Sequence, residues 1–335
     1  MKVLHFVSSR GMGRGEVYVE LVNSLATSME VVLLIPKDSR YQERVSALVE
    51  VIEYSTYNSR NNPILLLDIY KKIKKIKPDV VHTHFSKASQ IFNLLNTFLN
   101  LPHVATKHNP RKGKIYNRLP NVIAVSRAVK ESIENENVKV IYNGISYENI
   151  KMPKKNDVFT IVAIGRLEKV KGFDILIEEC AKLVFAFHLK IIGEGKERAN
   201  LEVLIDRLHM HHKVSLEGFR HDVPQIIADA NVVVISSRSE GFGMIILESL
   251  LYAKMLISRK VGAAEEILNP MFLVDDFNLA EKIEEVYRNE KKYRLAFKEN
   301  AEKMKDRFLL ESIAREHIMY YESIIQRERG NNSCN

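Results

Sequence analysis

The sequence predicts an α/β protein made of two doubly wound domains in tandem. Short runs rich in Val and Ile alternate with amphipathic stretches along most of its 335 residues. The runs are almost continuously apolar, which is typical of parallel strands covered by helices on both faces. The alternation stops at the turn-rich segment NGISYENIKMPKKND near residue 150 and then restarts. We therefore place one domain before this segment and a second one after it.

The first domain, residues 1–150, has a strand pattern at seven places. These predicted strands are KVLHFVSS, EVVLLIP, LVEVIEY, PDVVHTHF, PHVATKH, NVIAVS and VKVIYN. Helical patterns separate several of them, at residues 16–28, 63–77 and 86–99.

The second domain, residues 151–311, repeats the alternation. Its predicted strands are DVFTIVAIGRL, FHLKIIG, KVSLEGF and NVVVISS, and helices are predicted at residues 173–183, 196–210 and 223–228. The chain is almost wholly helical by pattern from Leu279 on. We assign residues 312–330 to a terminal helix.

Composition and charge narrow the classes of protein. The longest aliphatic runs, such as VVLLI, are far shorter than the roughly 20 residues of a membrane-spanning helix, and the chain opens directly into a strand pattern. Cys180 and Cys334 give neither a disulfide framework nor metal-ligand spacing. We expect a cytoplasmic protein with no metal site.

The net charge of +8 is confined to the first domain. Residues 1–150 carry 21 Lys and Arg against 13 Asp and Glu, whereas the rest of the chain carries 29 of each kind. This asymmetry indicates an anionic partner for the first domain, or simply a well-solvated surface.

Ligands of open parallel sheets bind beyond the carboxyl ends of the strands, so the residues after each strand are the candidates. The first strand leads into SSRGMGRGE, where Gly11, Gly13 and Gly15 allow close approach of backbone to a ligand, or form a tight turn. This loop fails the glycine spacing of a dinucleotide fingerprint. A dinucleotide-dependent oxidoreductase is therefore a weaker alternative.

In the second domain, basic residues and glycines follow the first two strands. GRLEKVKGFD places Arg166 and Lys171 beside Gly172 at a helix start, where a phosphate could bind or where surface ion pairs could form. In IIGEGKE, Gly193 and Gly195 again connect a predicted strand to a predicted helix.

The stretch SEGFGMIILESL carries Glu240 and Glu248 with an apolar run between them. The helix that begins after Gly243 is apolar on nearly every face, so we expect it to be packed on all sides. A buried Glu248 would cost several kcal/mol unless it is hydrogen-bonded. We therefore expect both carboxylates to accept hydrogen bonds from a polyol ligand.

These segments, together with VSLEGFRHDVPQIIADANVVVISS and VGAAEEIL, resemble the family 4 retaining glycosyltransferases of the GT-B fold. The resemblance runs in order through the second domain and more faintly through the first, in PDVVHTHF, HVATKHN, VIAVSRAVKE and VIYNGIS. It implies two Rossmann-like domains facing a central cleft, the first binding the acceptor and the second the sugar nucleotide. It also implies that a terminal helix, residues 313–325, crosses back to the first domain.

The resemblance further implies the roles of individual residues. Arg166 and Lys171 would hold the diphosphate of the donor, Glu240 would contact its sugar and Glu248 its ribose. Backbone N–H groups of Gly241, Phe242 and Gly243 would bind the donor, as would the glycine loops at Gly13, Gly15 and Gly193. His108 would lie near the anomeric carbon. The catalytic set is then His108, Arg166, Lys171 and Glu240.

The chemistry implied is sugar transfer with retention, with attack on the same face as departure and without a metal ion or a covalent nucleophile. The co-substrate would be a nucleoside-diphosphate sugar, and we expect a UDP-sugar. A non-catalytic sugar-nucleotide binder with the same fold is the alternative. Ala253, Met255 and Ala263 replace the family's usual glycines and proline, which questions the turn geometry near them.

Two basic segments of the first domain suggest how an acceptor is reached. IYKKIKKIKPD sets five lysines opposite Ile69, Ile73 and Ile76, and KHNPRKGKIYNRLP mixes cations with Ile115, Tyr116 and Leu119. Such mixtures suit an anionic membrane surface, whereas no stacking motif or DNA-reading helix favours nucleic acid. We expect a peripheral protein on the inner face of the cell membrane, with a lipid-linked, lipopolysaccharide-type or capsule-type glycan as acceptor.

The other histidines have simpler interpretations. His82 is expected to be a hydrogen-bonded core or edge residue, while His84 could line the cleft. We expect His209, His211 and His212 to be solvated at a helix end.

Overall fold

A computed structural model describes residues 1–9, 17–37, 39–40, 42–55, 59–111, 113–154, 156–275 and 278–332. The chain divides into two compact units. Unit one comprises Met1–Ile145 and Phe308–Asn335, and unit two comprises Ser146–Arg307. The sequence placed the two junctions a few residues later, after residues 150 and 311.

Unit one is built on a seven-stranded parallel sheet in the order β3-β2-β1-β4-β5-β6-β7. Its strands are β1 (Lys2–Val7), β2 (Glu30–Pro36), β3 (Glu50–Tyr54), β4 (Val80–His84), β5 (His103–Lys107), β6 (Val122–Ala124) and β7 (Val138–Val140). Helices α1 (Val17–Leu25), α2 (Pro63–Ile76), α3 (Phe85–Leu99) and α4 (Arg127–Glu131) connect them. The strand order reverses direction between β1 and β4, which is the point where open α/β sheets bind ligands.

Helix α2 shows how the local sequence builds one layer of this unit. The Asn62 side chain accepts from the backbone N–H groups of Ile64 and Leu65, and Pro63 occupies the first turn, where its missing N–H has no helical partner to lose. The apolar residues of α2 recur every three or four positions and pack on the sheet. The buried set is Leu65, Ile69, Ile73 and Ile76.

Unit two is built on a six-stranded parallel sheet in the order β10-β9-β8-β11-β12-β13. Its strands are β8 (Phe159–Ile164), β9 (Phe187–Ile192), β10 (Val214–Gly218), β11 (Val232–Ile235), β12 (Leu256–Arg259) and β13 (Leu273–Val274). Its helices are α5 (Phe173–Cys180), α6 (Arg198–Arg207), α7 (Val223–Asp229), α8 (Met244–Tyr252), α9 (Ala264–Ile267), α10 (Leu279–Arg288) and α11 (Glu290–Met304). Here the order reverses between β8 and β11.

The last helix, α12 (Leu310–Asn332), belongs to unit one. Backbone hydrogen bonds of 2.9 and 3.0 Å join Ile145 to Phe308 and Leu310 before the helix starts. Helix α12 packs on α1, and its Tyr321 hydroxyl lies 2.6 Å from Nδ1 of His82 on β4. Among the residues that the structure describes, α12 and every other helix fall short of the length and apolarity that crossing a membrane requires.

Candidate functional site

The candidate site of unit two lies where the loops after β8 and β11 meet. These two strands are neighbours, so the residues that follow them come together at the same edge of the sheet. Lys171 Nζ donates a 2.6 Å hydrogen bond to Oε1 of Glu240, and Ser237 Oγ donates to the same oxygen at 2.6 Å. The two charged side chains are 21% and 13% exposed, so the pair is largely withdrawn from water.

Arg238 ties these two loops together, and the sequence alone did not single it out. Its guanidinium donates two bonds of 2.7 Å to the Asp174 carboxylate and one of 2.6 Å to the carbonyl of Lys169. Its backbone N–H donates to Val170 O at 2.8 Å. Burial alone would raise the pKa of Asp174, but the bonds from Arg238 outweigh it and the pKa is lowered. The segment that carries Lys171 is therefore fixed on β11's loop.

Two glycines allow this close packing of loops. Gly172 has φ of 65°, and a Cβ there would lie 2.2 Å from Ser236 O. Gly193 has φ of 138°, and a Cβ there would lie 1.9 Å from Gly165 O. Neither clash could be relieved without moving backbone, so both positions require glycine.

Arg166 follows β8 as predicted, but it does not share the partner of Lys171. Its Nη1 donates to Glu168 Oε1 at 2.8 Å, and its side chain is 70% exposed. In this structure Glu240 therefore forms its salt bridge with Lys171 and not with Arg166. Arg166 is left extended into solvent at the edge of the sheet.

Helix α8 differs from its prediction, because it is not packed on all sides. Ile246, Leu247 and Leu250 are buried, whereas Met244, Ile245, Glu248 and Leu251 are only half-buried. The half-buried positions begin with the adjacent pair Met244 and Ile245 and then recur every three or four residues, so they form one partly exposed stripe. Glu248 therefore avoids part of the desolvation cost that full burial would bring.

The alanines that replace the family's glycines fit their positions. Ala253 has φ of −76° and Ala263 has φ of −94°. Both values are ordinary for an L-residue, and the positive φ of this region falls on Gly262, at 59°. The doubt about local turn geometry is therefore removed.

In unit one, a row of histidines lies at the reversal between β1 and β4. His5 on β1 pairs in register with His82 on β4, and His84 follows two residues later on the same face. His84 Nδ1 lies 3.1 Å from Nε2 of His108, which follows β5 and is half-buried. Burial lowers the pKa of His108 to about 4, with a further lowering from nearby His317.

The remaining predicted residues of unit one have mixed outcomes. His82 is buried with both ring nitrogens hydrogen-bonded, to Tyr321 and Thr106, which confirms the interpretation as a satisfied core residue. The predicted glycine loop at Gly13 and Gly15 lies outside the described residues. In unit two, His209, His211 and His212 are exposed at the end of α6, as expected.

Two family models match successive parts of the chain. One, described as Glycosyltransferase Family 4, matches residues 13–149, and the other, described as Glycosyl transferases group 1, matches residues 147–304. The chain belongs to the group 1 glycosyltransferases. The family resemblance predicted from the sequence is thus confirmed, and this glycosyltransferase is an enzyme.

Curated relatives of this glycosyltransferase include proteins of surface-glycan synthesis. An uncharacterized glycosyltransferase of Methanocaldococcus jannaschii is 27% identical over 335 residues, covering 87% of this chain and 92% of the relative. The lipopolysaccharide core biosynthesis glycosyltransferase LpsE of Rhizobium meliloti is 25% identical, covering 78% and 79%. The N-acetylgalactosamine-N,N'-diacetylbacillosaminyl-diphospho-undecaprenol 4-alpha-N-acetylgalactosaminyltransferase of Campylobacter jejuni is 29% identical, covering 56% and 54%.

Among solved structures, the Anabaena protein HepE in complex with UDP is similar, with a TM-score of 0.83. It is 20% identical to this glycosyltransferase, and the match covers 96% of this chain and 100% of HepE. At that identity the likeness concerns the fold. The predicted pair of parallel-sheet, Rossmann-like domains is confirmed.

Proposed function

We propose that this glycosyltransferase moves a sugar, with retention, from a UDP-sugar to a lipid-linked, lipopolysaccharide-type or capsule-type glycan, and does so without a metal ion. The Lys171–Glu240 pair at the reversal point of the second sheet is the observation that carries this proposal. It brings a cation for phosphate and a carboxylate for hydroxyl groups to one place. The UDP bound by HepE and the surface-glycan names of the relatives support the donor and the acceptor.

In this mechanism unit two binds the donor. Arg166 and Lys171 bind the diphosphate, and the N–H groups of Gly241, Phe242 and Gly243 add further donors at the start of α8. As the sugar departs, the diphosphate gains negative charge, which these fixed groups stabilise in place of a metal ion. Glu240 accepts hydrogen bonds from the sugar hydroxyls, and Glu248 from the ribose. The loop at Gly193 completes the donor side.

Lys171 and Glu240 neutralise each other before the donor binds. A lysine and a glutamate withdrawn from water would each be costly alone, so their direct contact keeps the site stable when empty. The diphosphate then gives Lys171 a second anionic partner, while Glu240 turns its remaining lone pairs to the sugar. Retention follows from attack on the face that the diphosphate leaves, with a phosphate oxygen accepting the proton of the acceptor hydroxyl. Unit one contributes His108, which we assign to the neighbourhood of the anomeric carbon, and the loop at Gly13 and Gly15, which we assign to donor binding.

Donor screening by ligand-observed NMR tests this proposal. UDP-, GDP- and ADP-sugars are offered to the wild type and to Glu240→Gln, and turnover is then followed with lipid-linked glycan acceptors. We expect a UDP-sugar to bind the wild type, and Glu240→Gln to weaken the contact at the sugar protons more than at the uracil protons. If none of the three donor classes binds, the donor assignment is wrong.

We also propose that unit one docks on the anionic inner leaflet of the cell membrane. Lys71, Lys74 and Lys75 are exposed on α2. Exposed apolar side chains accompany them, with Ile64 at 62% and Phe98 on α3 at 77%. Cations and exposed apolar groups on two neighbouring helices favour an anionic bilayer surface.

The second basic segment contributes less than the sequence indicated. Tyr116 and Leu119 are buried and Ile115 is half-buried, so the apolar residues of this segment pack inside unit one. Arg111, Lys114 and Arg118 are exposed, and Lys112 lies outside the described residues. This segment offers charge only.

Co-sedimentation with vesicles tests the docking. We expect recovery with anionic vesicles at low salt, little with neutral vesicles, and loss of binding in Lys71→Glu/Lys74→Glu. The control is Lys298→Glu/Lys303→Glu, which makes the same charge change at exposed positions on α11 of unit two. Equal recovery with neutral and anionic vesicles would contradict the proposal.

A further inference from the structure

Three histidines of unit one are joined in an unbroken hydrogen-bond chain. His5 Nδ1 lies 3.0 Å from His84 Nε2, and His84 Nδ1 lies 3.1 Å from His108 Nε2. His5 and His84 are buried, and the rings of His5 and His84 are stacked, as are those of His84 and His108. The chain therefore runs from the interior of the sheet to the half-buried ring of His108.

All three rings are neutral around pH 7. Burial is the main cause, and it lowers the pKa of His5 to about 3, that of His84 well below its ordinary value, and that of His108 to about 4. A neutral imidazole has one N–H donor and one bare nitrogen acceptor. In a chain of such rings, the position of one hydrogen sets the position of all the others.

The inner end of the chain decides between the two possible arrangements. Nε2 of His5 is buried and has no hydrogen-bond partner among the residues that the structure describes. A buried N–H without an acceptor is rarer in proteins than an acceptor without a donor. The hydrogen of His5 therefore belongs on Nδ1, which donates to His84 Nε2. His84 then donates from Nδ1 to His108 Nε2, and His108 keeps its own hydrogen on Nδ1.

The groups that surround the chain leave this arrangement undisturbed. His82 is hydrogen-bonded to Tyr321 and Thr106, and His317 on α12 donates from Nδ1 to the carbonyl oxygen of Ile313. Tyr18 of α1 lies against the His84 ring, with centroids 5.3 Å apart. These neighbours are uncharged aromatic groups, so they supply no anion that would favour an imidazolium.

The same contacts argue against a metal ion among His5, His82 and His84, whose ring nitrogens lie within 4.8 Å of one another. Both ring nitrogens of His82 and both of His84 already have hydrogen-bond partners. An ion would have to displace these bonds and turn stacked rings toward one point. The cluster is built for hydrogen bonds between rings.

We propose that His5 and His84 are positioning residues that hold His108 as a neutral, Nδ1-protonated imidazole, with that N–H as the group it offers to substrate. This inference rests on the proposed function for the role of His108 in transfer. The tautomer itself is a property of unit one and can be measured without any substrate.

Two-bond ¹H–¹⁵N correlation spectra of the full chain, labelled with ¹⁵N-histidine, report which ring nitrogen carries hydrogen. At pH 7.5 we expect Nδ1–H and bare Nε2 for His5, His84 and His108, with assignments from single His→Gln variants. In His5→Leu the His108 signals should move toward the Nε2–H pattern. His5→Asn, whose amide can donate from the place of Nδ1, should keep the wild-type pattern. Nε2–H on His108 in the wild type would overturn the proposal.

Kinetics separate this inference from the proposed function. With the donor found by screening, His5→Leu should lower kcat roughly 10- to 100-fold, the range for removing an outer partner that fixes a histidine tautomer in metal sites, with KM for the donor little changed. His5→Asn should recover most of kcat. The control is His103→Gln, since His103 is a buried histidine that is hydrogen-bonded to Thr83 and does not belong to the three-histidine hydrogen-bond chain.

The outcomes are distinct. If the spectra show the predicted tautomers and no UDP-sugar is turned over, the proposed function fails and the assignment of tautomers stands. If His5→Leu keeps both the wild-type spectrum of His108 and the wild-type kcat, the positioning role is wrong whatever the substrate.

Discussion

The two polar clusters of this glycosyltransferase keep their side chains in place by different means. In unit two, Lys171 and Glu240 are opposite charges that touch at 2.6 Å near the protein surface. In unit one, His5, His84 and His108 carry no charge and depend on hydrogen bonds between rings. The difference indicates that the cluster of unit two is suited to a charged ligand, whereas the histidine cluster of unit one must stay uncharged for unit one to remain folded.

Acidification should have the largest effect, because it protonates the buried histidines of unit one and not the Lys171–Glu240 pair of unit two. Six histidines there have pKa values below the ordinary 6.5: His5, His82, His84, His103, His108 and His317. Below pH 6.5 the unfolded chain binds protons that the folded chain refuses. Stability is therefore complete above pH 6.5 and falls as pH decreases toward the lowered pKa values, about 4 for His108 and His317 and about 3 for His5 and His103. Each histidine contributes at most roughly 1.4 kcal/mol per pH unit to this loss.

Denaturant unfolding at pH 7.5, 6.5 and 5.5 measures this dependence. His317→Asn should reduce the slope of the unfolding free energy against pH below pH 6.5 by the amount that corresponds to about one proton. A slope that stays flat between pH 6.5 and 5.5 would mean that the ring cluster accepts charge.

Removing Lys171 should have the next largest effect. Lys171→Met deletes a cation for the leaving diphosphate and leaves Glu240 with the hydrogen bond from Ser237, so kcat/KM should fall roughly 100- to 1,000-fold. Lys171→Met/Glu240→Gln should unfold at a higher denaturant concentration than Lys171→Met, because no unpaired charge is left. Its activity should stay low. Restored activity in the double variant would show that the pair has only a structural role.

Arg238 offers a smaller and sharper test of the unit two cluster. Arg238→Lys keeps the charge but loses the planar double bond to Asp174, so we expect kcat/KM to fall about tenfold through movement of Lys171. Arg220 makes a similar two-bond contact with Asp222 on the loop after β10. Arg220→Lys is therefore the control, and equal losses in both variants would contradict a specific role for Arg238.

The smallest effect is expected from Tyr321→Phe. This change removes one hydrogen bond to His82 and should lower the free energy of unfolding by about 1 kcal/mol. The tautomer of His108 should not change, because His82 lies outside the three-ring chain. A change in the His108 spectrum would extend the chain to α12.

Most of the fold could be predicted from the sequence because the strands are long apolar runs. Strands β12 and β13 were missed, since β13 has only two residues and half of β12 is polar, at Ser258 and Arg259. The position of α2 also followed directly from the spacing of its isoleucines. Where the chain enters or leaves a unit depends on long-range contacts, and the two junctions differ from the predicted ones for that reason.

The candidate site was predictable in its members and not in its contacts. Residues after adjacent strands can be brought together by topology alone, so Lys171 and Glu240 were both found. Their direct pairing depends on side-chain reach, and so does the separate partner of Arg166. The hydrogen-bonded row of His5, His84 and His108 had a partial signal, because strand register places His5 and His84 on one face and His108 directly follows β5. Only the structure gives the order of the hydrogen bonds.

The return of α12 to unit one has a consequence for how the protein is made. Unit two is one continuous segment, Ser146–Arg307, so all of it is available once that segment has left the ribosome. Unit one begins before unit two but lacks Tyr321 and the other contacts of α12 until after unit two has been synthesised. We expect the unit that is translated second to fold first, the reverse of the usual order. Until α12 is added, the incomplete unit one would expose its histidine-containing core to chaperones.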